Sequence, residues 1–301
     1  MNCLQKVAIG ALCSEELGEE LQKAELVCRL RGGQSEVYSF DGAQCRALIS
    51  EVWRLRDEAF GGVGVRLGDS LAVEQGDVDG TYRQLIVWDV RRGAIAGGYR
   101  YAVGAEAAAK RLSLARYFSL SERFVEEFLP RGLELGRTFV ATQYQLVASR
   151  SALYALSDLW QGLSRVVANR GIRYLFGRVT LYPELGVRAR NLLLGFMRYG
   201  FPYREPLMSA RRPLNCGISR RSYRRLFVGR TAAENYKILT QKMRSMRRNI
   251  PPMISSYMRL SPSMQCFDSY VNDDLGGVAE MAIMLDKEEF YDDVKRRYNI
   301  S

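Results

Sequence analysis

Glu134-Leu135-Gly136-Arg137-Thr138-Phe139-Val140 is the stretch from which the fold is read. A carboxylate and a guanidinium, three residues apart, open a short run of β-branched and aromatic residues of the kind that fills strands. On a regular strand, positions 134 and 137 point to opposite faces. Gly136 supplies the irregularity that a bulge or strand start needs to turn one of them. Alone, the pair is compatible with an ordinary surface ion pair. Upstream, Leu85-Ile86-Val87-Trp88-Asp89 reads as a strand, Arg91-Arg92-Gly93 as a turn and Ala94 to Val103 as the return strand. The return strand carries Gly97-Gly98, a common mark of a bulge, and then Arg100. If these strands share one sheet, Glu134, Arg100 and Arg137 lie close together on it.

Further out, apolar spacing predicts a helix over 43–60, with Ala47, Leu48, Val52, Leu55 and Phe60 on its inner face. A short strand is expected around Glu36 to Phe40, at the end of a loosely helical arm over 1–45. The Gly61-Gly62-Val63-Gly64 stretch follows a helix, so it reads as a loop and not as a phosphate cradle, which should follow a strand. The 150–169 segment is the best helix, with Leu153, Leu156, Leu159, Trp160, Leu163, Val166 and Val167 on one stripe. Tyr174 to Leu181 reads as a buried strand. Helices are expected over 187–199 and 232–248, a helical turn from Pro252 to Met258, and a last strand from Val278 to Leu285. Segment 203–230 reads as a basic linker. The order of elements fits a mixed α/β sheet. Three segments are expected: an N-terminal arm over 1–45, a core over 46–215 and a C-terminal extension over 216–301 that packs on the core.

Composition narrows the chemistry. The 301 residues include no histidine, which removes Ser-His and His-metal schemes. Six cysteines, Cys3, Cys13, Cys28, Cys45, Cys216 and Cys266, form no CxxC pair, so neither a zinc site nor a disulfide framework is expected. No metal is expected. The start of the chain leads into Glu15-Glu16-Leu17-Gly18-Glu19-Glu20, unlike a secretory signal, and no apolar run approaches the roughly 18–20 residues of a membrane span. The expectation is a cytoplasmic protein, at most peripheral at the inner face of the membrane. The net charge of +11 is concentrated. Between Arg204 and Arg230 there are eight arginines and one acid, Glu205, and Lys237, Lys242, Arg244, Arg247 and Arg248 follow. Such a region is either a solvated face or a seat for an anionic partner. Without a recognition motif or a regular series of stacking aromatics, no nucleic acid is expected.

The conjunction of these motifs resembles a known family. Gln84 to Asp89, Gly97-Gly98-Tyr99-Arg100-Tyr101, Glu134 to Val140, Tyr144-Gln145, Leu159-Trp160-Gln161-Gly162-Leu163 and Tyr174 to Thr180 look, in order, like the GNAT-fold N-acyltransferases that make ornithine and glycine lipids. Tyr236 to Leu239, Ile250 to Met253 and Tyr257 to Pro262 extend the likeness to the branch often labelled hemolysin-like. The acyl-homoserine-lactone synthases are related. The resemblance implies a GNAT-like α/β fold: a mixed, mostly antiparallel central sheet flanked by helices, with a C-terminal helical and strand extension. It implies an acyltransferase moving a (3-hydroxy)fatty acyl group from an acyl carrier protein thioester to a small amino acid, glycine first and ornithine next, in aminolipid biosynthesis. No bound cofactor is implied, the phosphopantetheine thioester being the donor substrate. The segment from Ala141 to Arg150 contains no glycine, whereas family members that use free coenzyme A carry a Gly-rich phosphate loop there. Acyl carrier protein is acidic, so the Arg204–Arg248 region suits either that partner or an anionic membrane.

Residue by residue, the resemblance assigns Arg56 and Phe60 to the acyl-donor entrance, Arg100 to the strand arginine, and Glu134 and Arg137 to the Glu-x-x-Arg pair. It also places an acidic pair before the hairpin, for which Asp77 and Asp79 are the nearest candidates. Glu134 is the expected base, Arg100 and Arg137 orient the acceptor carboxylate or the base, and strand N–H groups near Phe139 receive the oxyanion. A protein that keeps the fold but only binds a carrier or a membrane surface is the alternative of a different class.

Overall fold

The computed structural model describes residues 14–61, 74–145 and 151–300. In chain order the elements begin with α1 (Ser14–Leu21), β1 (Glu25–Leu30), β2 (Ser35–Asp41), α2 (Arg46–Gly61), β3 (Arg83–Asp89) and β4 (Ala94–Val103). Next come β5 (Phe118–Leu120), β6 (Gly132–Val140), α3 (Thr142–Gln145), α4 (Ser151–Asn169), β7 (Tyr174–Leu181) and α5 (Val187–Gly200). The last are β8 (Met208–Ala210), α6 (Arg220–Leu226), α7 (Ala232–Ser245), α8 (Pro252–Met258), β9 (Gln265–Asn272), β10 (Val278–Asp286) and α9 (Asp292–Tyr298). The fold is mixed α/β with a large, mostly antiparallel sheet, as expected. No described helix is long and apolar enough to cross a membrane.

Two compact units form, and β6 contributes to both. Of the described residues, the first unit holds 14–61, 74–101, 136–145 and 151–166. Its strands run β1-β2-β3-β4-β6, the β1-β2, β2-β3 and β3-β4 pairs all antiparallel. The register of β3 on β4 slips between Val87 and Trp88, so Ala96 is bulged. Its carbonyl accepts the N–H of Ala141 at 3.0 Å. A Cβ on Gly97 would stand 2.7 Å from the Phe139 carbonyl oxygen, and one on Gly98 2.9 Å from the Phe139 ring, so only glycine lets β4 approach β6 this closely. On α4 the buried stripe runs through Ala155, Leu159, Leu163, Val166 and Val167. Leu153, expected on that stripe, is exposed because it precedes the first turn that covers the sheet.

The second unit holds 102–135 and 167–300. Its sheet runs β6-β7-β10-β9. The β6–β7 pair is parallel, Gly132↔Tyr174 to Leu135↔Gly177, while β10 lies antiparallel to both β7 and β9. A second small sheet pairs β5 with β8.

Two expectations need correction, on residues 25–30 and on the basic linker. Residues 25–30 form a strand and not part of a helical arm. Their mixed pattern of charge, Cys28 and aliphatics gives no alternation, and β1 has one strand neighbour, β2. Residues 265–272 form β9, where Asp268 and Ser269 interrupt the apolar signal. The expected basic linker contains β8 and α6, so it is built structure. The Gly61–Gly64 stretch lies, beyond Gly61 at the end of α2, outside the described residues, as do 146–150.

Candidate functional site

The first unit buries a cluster of guanidiniums and carboxylates. On α2, Trp53 and Arg56 are one turn apart and share one partner, Asp77, which sits fully buried on a single 3₁₀ turn over Gln75–Asp77. Arg56 Nη1 donates to Asp77 Oδ2 at 2.8 Å and Trp53 Nε1 donates to the same oxygen at 3.0 Å. Gln84 on β3 closes the ring: it donates to Asp77 Oδ1 at 2.9 Å and accepts from Arg56 Nη2 at 2.8 Å. Arg100 stands opposite Gln84 in the β3–β4 register, with Nη1 3.6 Å from Asp77 Oδ1 and its guanidinium 4.3 Å over the Tyr82 ring. The same Nη1 donates to Glu74 Oε2. Arg137 Nε donates to the other oxygen of Glu74 at 2.5 Å. One carboxylate, Glu74, thus joins the two arginines expected at the site.

Electrostatics follow from this packing. Burial alone would raise the Glu74 carboxyl, but Arg100, Arg137 and Arg56 outweigh it and hold it well below the usual carboxylate range. Asp77 is likewise lowered: burial opposes, and Arg56 and Arg100 prevail. Arg100 moves upward, since Glu74 and Asp77 overcome the cost of its burial, whereas burial dominates for Arg56 and pulls it down. Three guanidiniums face two carboxylates, an excess of positive charge that favours an anionic group. Among the described residues, Arg56 Nε and Arg100 Nε are buried without a partner.

The backbone explains how Arg137 reaches Glu74. Its φ is +52°, a left-handed conformation that a residue with a Cβ adopts rarely. The irregularity expected near Gly136 therefore lies at Arg137 itself, and the β6–β7 pairs end at Leu135, two residues before it. The turn frees Arg137 from strict alternation with Glu134.

Glu134 belongs to the second unit and is buried. Its Oε1 accepts from Ser113 Oγ at 2.7 Å and from the Leu114 N–H at 2.9 Å. Ser113 Oγ in turn accepts from Arg178 Nη2 at 3.3 Å. Arg178, on β7, donates Nη1 to Glu280 Oε2 at 3.0 Å and to the Tyr270 hydroxyl at 2.5 Å. Glu280 also accepts from Tyr270, from Asn272 Nδ2 at 2.9 Å and from Thr180 Oγ1 at 3.0 Å. Burial pushes the Tyr270 phenol up, with Arg178 opposing. Burial would lower Arg178, but Glu280, Tyr270 and Glu134 raise it.

Of the residues expected at the site, Arg56, Asp77, Arg100 and Arg137 come together. Phe60 is buried one turn beyond Arg56 on α2, and Phe139 is buried against Gly97 and Gly98. Asp79 stands apart and exposed, its Oδ1 accepting from the Thr81 N–H at 2.9 Å and hydroxyl at 2.6 Å. Its place as second acid of the cluster is taken by Glu74, which the sequence reading missed. The signal was a spacing of three, Glu74-x-x-Asp77, one 3₁₀ turn, which brings both carboxylates to one side.

A cleft of about 540 Å³ in the first unit is lined elsewhere, by Arg31, Asp89, Arg92, Tyr144, Tyr154 and Asp158 among others. Several of its groups hold one another: Arg31 meets Asp158 at 3.0 Å and stacks on Tyr154, while Asp89 accepts from Tyr144. Among the described residues no group of three or more Cys, Asp or Glu is placed to hold a metal ion.

A family model described as an acetyltransferase (GNAT) domain matches residues 55–155. Over 295 residues the chain is 36% identical to a protein of Bacteroides thetaiotaomicron named glycine N(alpha)-acyltransferase, covering 94% of this chain and 88% of that one. A protein of the same name from Phocaeicola vulgatus is 34% identical over 298 residues, covering 96% of this chain and 91% of its own. Among solved structures, FeeM, an N-acyl amino acid synthase from uncultured soil microbes, aligns at a TM-score of 0.38 and 10% identity, covering 85% of this chain and 91% of that one.

Proposed function

This chain belongs to the GNAT-fold N-acyltransferase family that includes the two glycine N(alpha)-acyltransferases, and from that premise we propose that it acylates the amine of glycine from an acyl carrier protein thioester. The observation that carries the acceptor is the likeness to those two relatives along almost the whole chain. The donor rests on the sequence of segment 141–150, which lacks the glycines of a loop for the pyrophosphate of free coenzyme A. The product, an N-acylglycine with a 3-hydroxyacyl chain, would enter aminolipid biosynthesis.

The chemistry is aminolysis. Glycine's ammonium gives one proton to Glu134, directly or through a water, and the freed lone pair attacks the thioester carbonyl carbon. The C–N bond forms, the oxyanion collapses, the C–S bond breaks, and the leaving thiolate takes the second amine proton. Glu134 suits the base because its hydrogen bonds from Ser113 and the Leu114 N–H fix the carboxylate in place. Arg137 suits the acceptor carboxylate: Glu74 holds its Nε, and its fork retains two Nη groups for a bidentate bond. Arg100, committed to Glu74 and Asp77, orients that pair and does not itself grip substrate. Strand N–H groups near Phe139 receive the oxyanion, a contribution of about 3 kcal/mol.

Mass spectrometry of lipids from bacteria expressing the chain, beside its Glu134→Gln variant, tests this reading. N-acylglycine ions only with the parent are expected. N-acylornithine ions in their place would replace the acceptor, and equal ions from both proteins would remove Glu134 from the base role.

A further inference from the structure

Outside the site, α6 stands out by its charge. This seven-residue helix carries Arg220, Arg221, Arg224 and Arg225, all exposed. Its other face is anchored on α5. Tyr223 and Phe227, one turn apart, pack against Phe196 at 6.3 and 4.9 Å between ring centres, and Tyr223 also meets Tyr199 at 5.8 Å. Ser219 caps the helix by accepting from the Ser222 N–H at 3.1 Å. Ile218 fits over Gly195, where a Cβ would come within 2.7 Å of it. The four guanidiniums are therefore displayed from a fixed frame and not from a loop.

Several other surface arginines of the same unit are paired with carboxylates. Arg123 is paired with Glu127 and Glu205, Arg173 with Asp286 and Glu288, Arg204 with Glu289, and Arg116 with Asp274. No such ion pair is seen, among the described residues, for the α6 arginines or for their exposed neighbours Arg212 and Arg230. A merely solvated face would be expected to intersperse both signs. Every basic residue from Arg204 to Arg230 is arginine, the side chain whose planar fork matches phosphate oxygens in pairs. Between Arg225 and Arg230 stands Val228, 73% exposed, the most exposed of the large hydrophobic side chains described. An apolar tip collared by guanidiniums is the arrangement of a segment that rests in the headgroup layer of a bilayer.

We propose that α6 and the turn after it form a docking surface for an anionic lipid bilayer, the arginines bound to headgroup phosphates and Val228 dipped into the interface. The proposal holds whichever amine the enzyme acylates. It places the release of an amphiphilic acyl-amide product at the membrane that dissolves it.

Co-sedimentation of the full-length protein with vesicles tests it. Vesicles of equal parts phosphatidylglycerol and phosphatidylcholine are compared with phosphatidylcholine alone, at low and high salt. The wild type should bind the anionic vesicles, lose binding as salt screens the charges, and ignore the neutral ones. A quadruple variant, Arg220→Gln, Arg221→Gln, Arg224→Gln and Arg225→Gln, should bind at least about tenfold more weakly while keeping its circular dichroism and its turnover of a soluble donor. Val228→Asp should lose binding severalfold with all arginines in place. Equal binding by wild type and quadruple variant, or no binding to anionic vesicles, overturns the proposal. If in that case the quadruple variant raises the KM for acyl carrier protein thioester, the surface belongs to the acidic carrier and not to lipid.

Discussion

Each unit of this protein buries an arginine–carboxylate network, and the two are held together by different donors. In the first unit Arg56, Arg100 and Arg137 share Glu74 and Asp77. In the second, Arg178 serves Glu280 and, through Ser113, Glu134. Surplus guanidinium leaves donors for an anion. Neutral donors, Thr180, Tyr270, Asn272 and Ser113, also hold the carboxylates of the second unit, and such bonds fix a carboxylate in one orientation. Guanidiniums with free donors and oriented carboxylates are the two kinds of group that an amine acyltransferase needs, one to hold an anion and one to take a proton.

The largest effect should come from the second network. Glu134→Gln keeps the bonds from Ser113 and the Leu114 N–H but removes the basic oxygen, so acyl-amide formation should fall about 10²–10⁴-fold with little loss of stability. Steady-state turnover beside a urea melt checks this. Residual activity above a tenth of wild type would end the contrast between a binding network and a basic one.

Next is the stability of the first network. Asp77→Asn leaves the fully buried Arg56 without its counter-charge, a loss of about 3–5 kcal/mol. All three tryptophans, Trp53, Trp88 and Trp160, lie in the first unit, so fluorescence reports that unit during urea unfolding. Arg56→Met with Asp77→Leu, which removes both charges, should recover much of the loss. If Asp77→Asn unfolds no earlier than wild type, the ring around Asp77 is not what holds α2 to β3.

Glu74→Gln is a smaller test with two readings. The variant cannot hold Arg137 by charge, so KM for the acceptor should rise about tenfold, roughly 1.4 kcal/mol, with kcat changed less. Glu74 also links the unit to pH. Its folded value lies below the ordinary 4.5, so its contribution is present above pH 4.5 and is lost as pH falls below that value. The tryptophan-detected midpoint should therefore decline on acidification in wild type and decline less in Glu74→Gln. Identical acid profiles would mean that Glu74 is not held by the arginines in solution.

What the sequence reading could reach follows from where each signal lay. The β3–β4 hairpin and β7 were readable because Leu85–Asp89 and Tyr174–Leu181 are dense in β-branched and aromatic residues, and Arg91-Arg92-Gly93 marks the turn. Strands β1 and β9 were not, because edge strands need less apolar surface and carry Arg29 or Asp268 without penalty. At the site, Arg100 and Arg137 were visible on the strands that carry them, and Arg56 through the family resemblance. Glu74 was not, because the carboxylate that joins Arg100 to Arg137 sits on neither strand, and only the fold brings its short turn to them.

The smallest expected effect tests that substitution of one acid for another. Asp79 and Glu74 flank Asp77 at distances of two and three residues, and by proximity Asp79 is the better partner. The structure gives Asp79 a local task, capping the turn through the Thr81 N–H and hydroxyl, in solvent. Asp79→Ala should therefore change turnover and acceptor KM by less than about twofold, as is usual for an exposed position away from the chemistry. Paired with Glu74→Gln in the same assay, it separates an acidic pair chosen by nearness in sequence from one chosen by a single 3₁₀ turn. If Asp79→Ala proved the more damaging, the Arg100–Glu74–Arg137 bridge would not be the arrangement the enzyme uses.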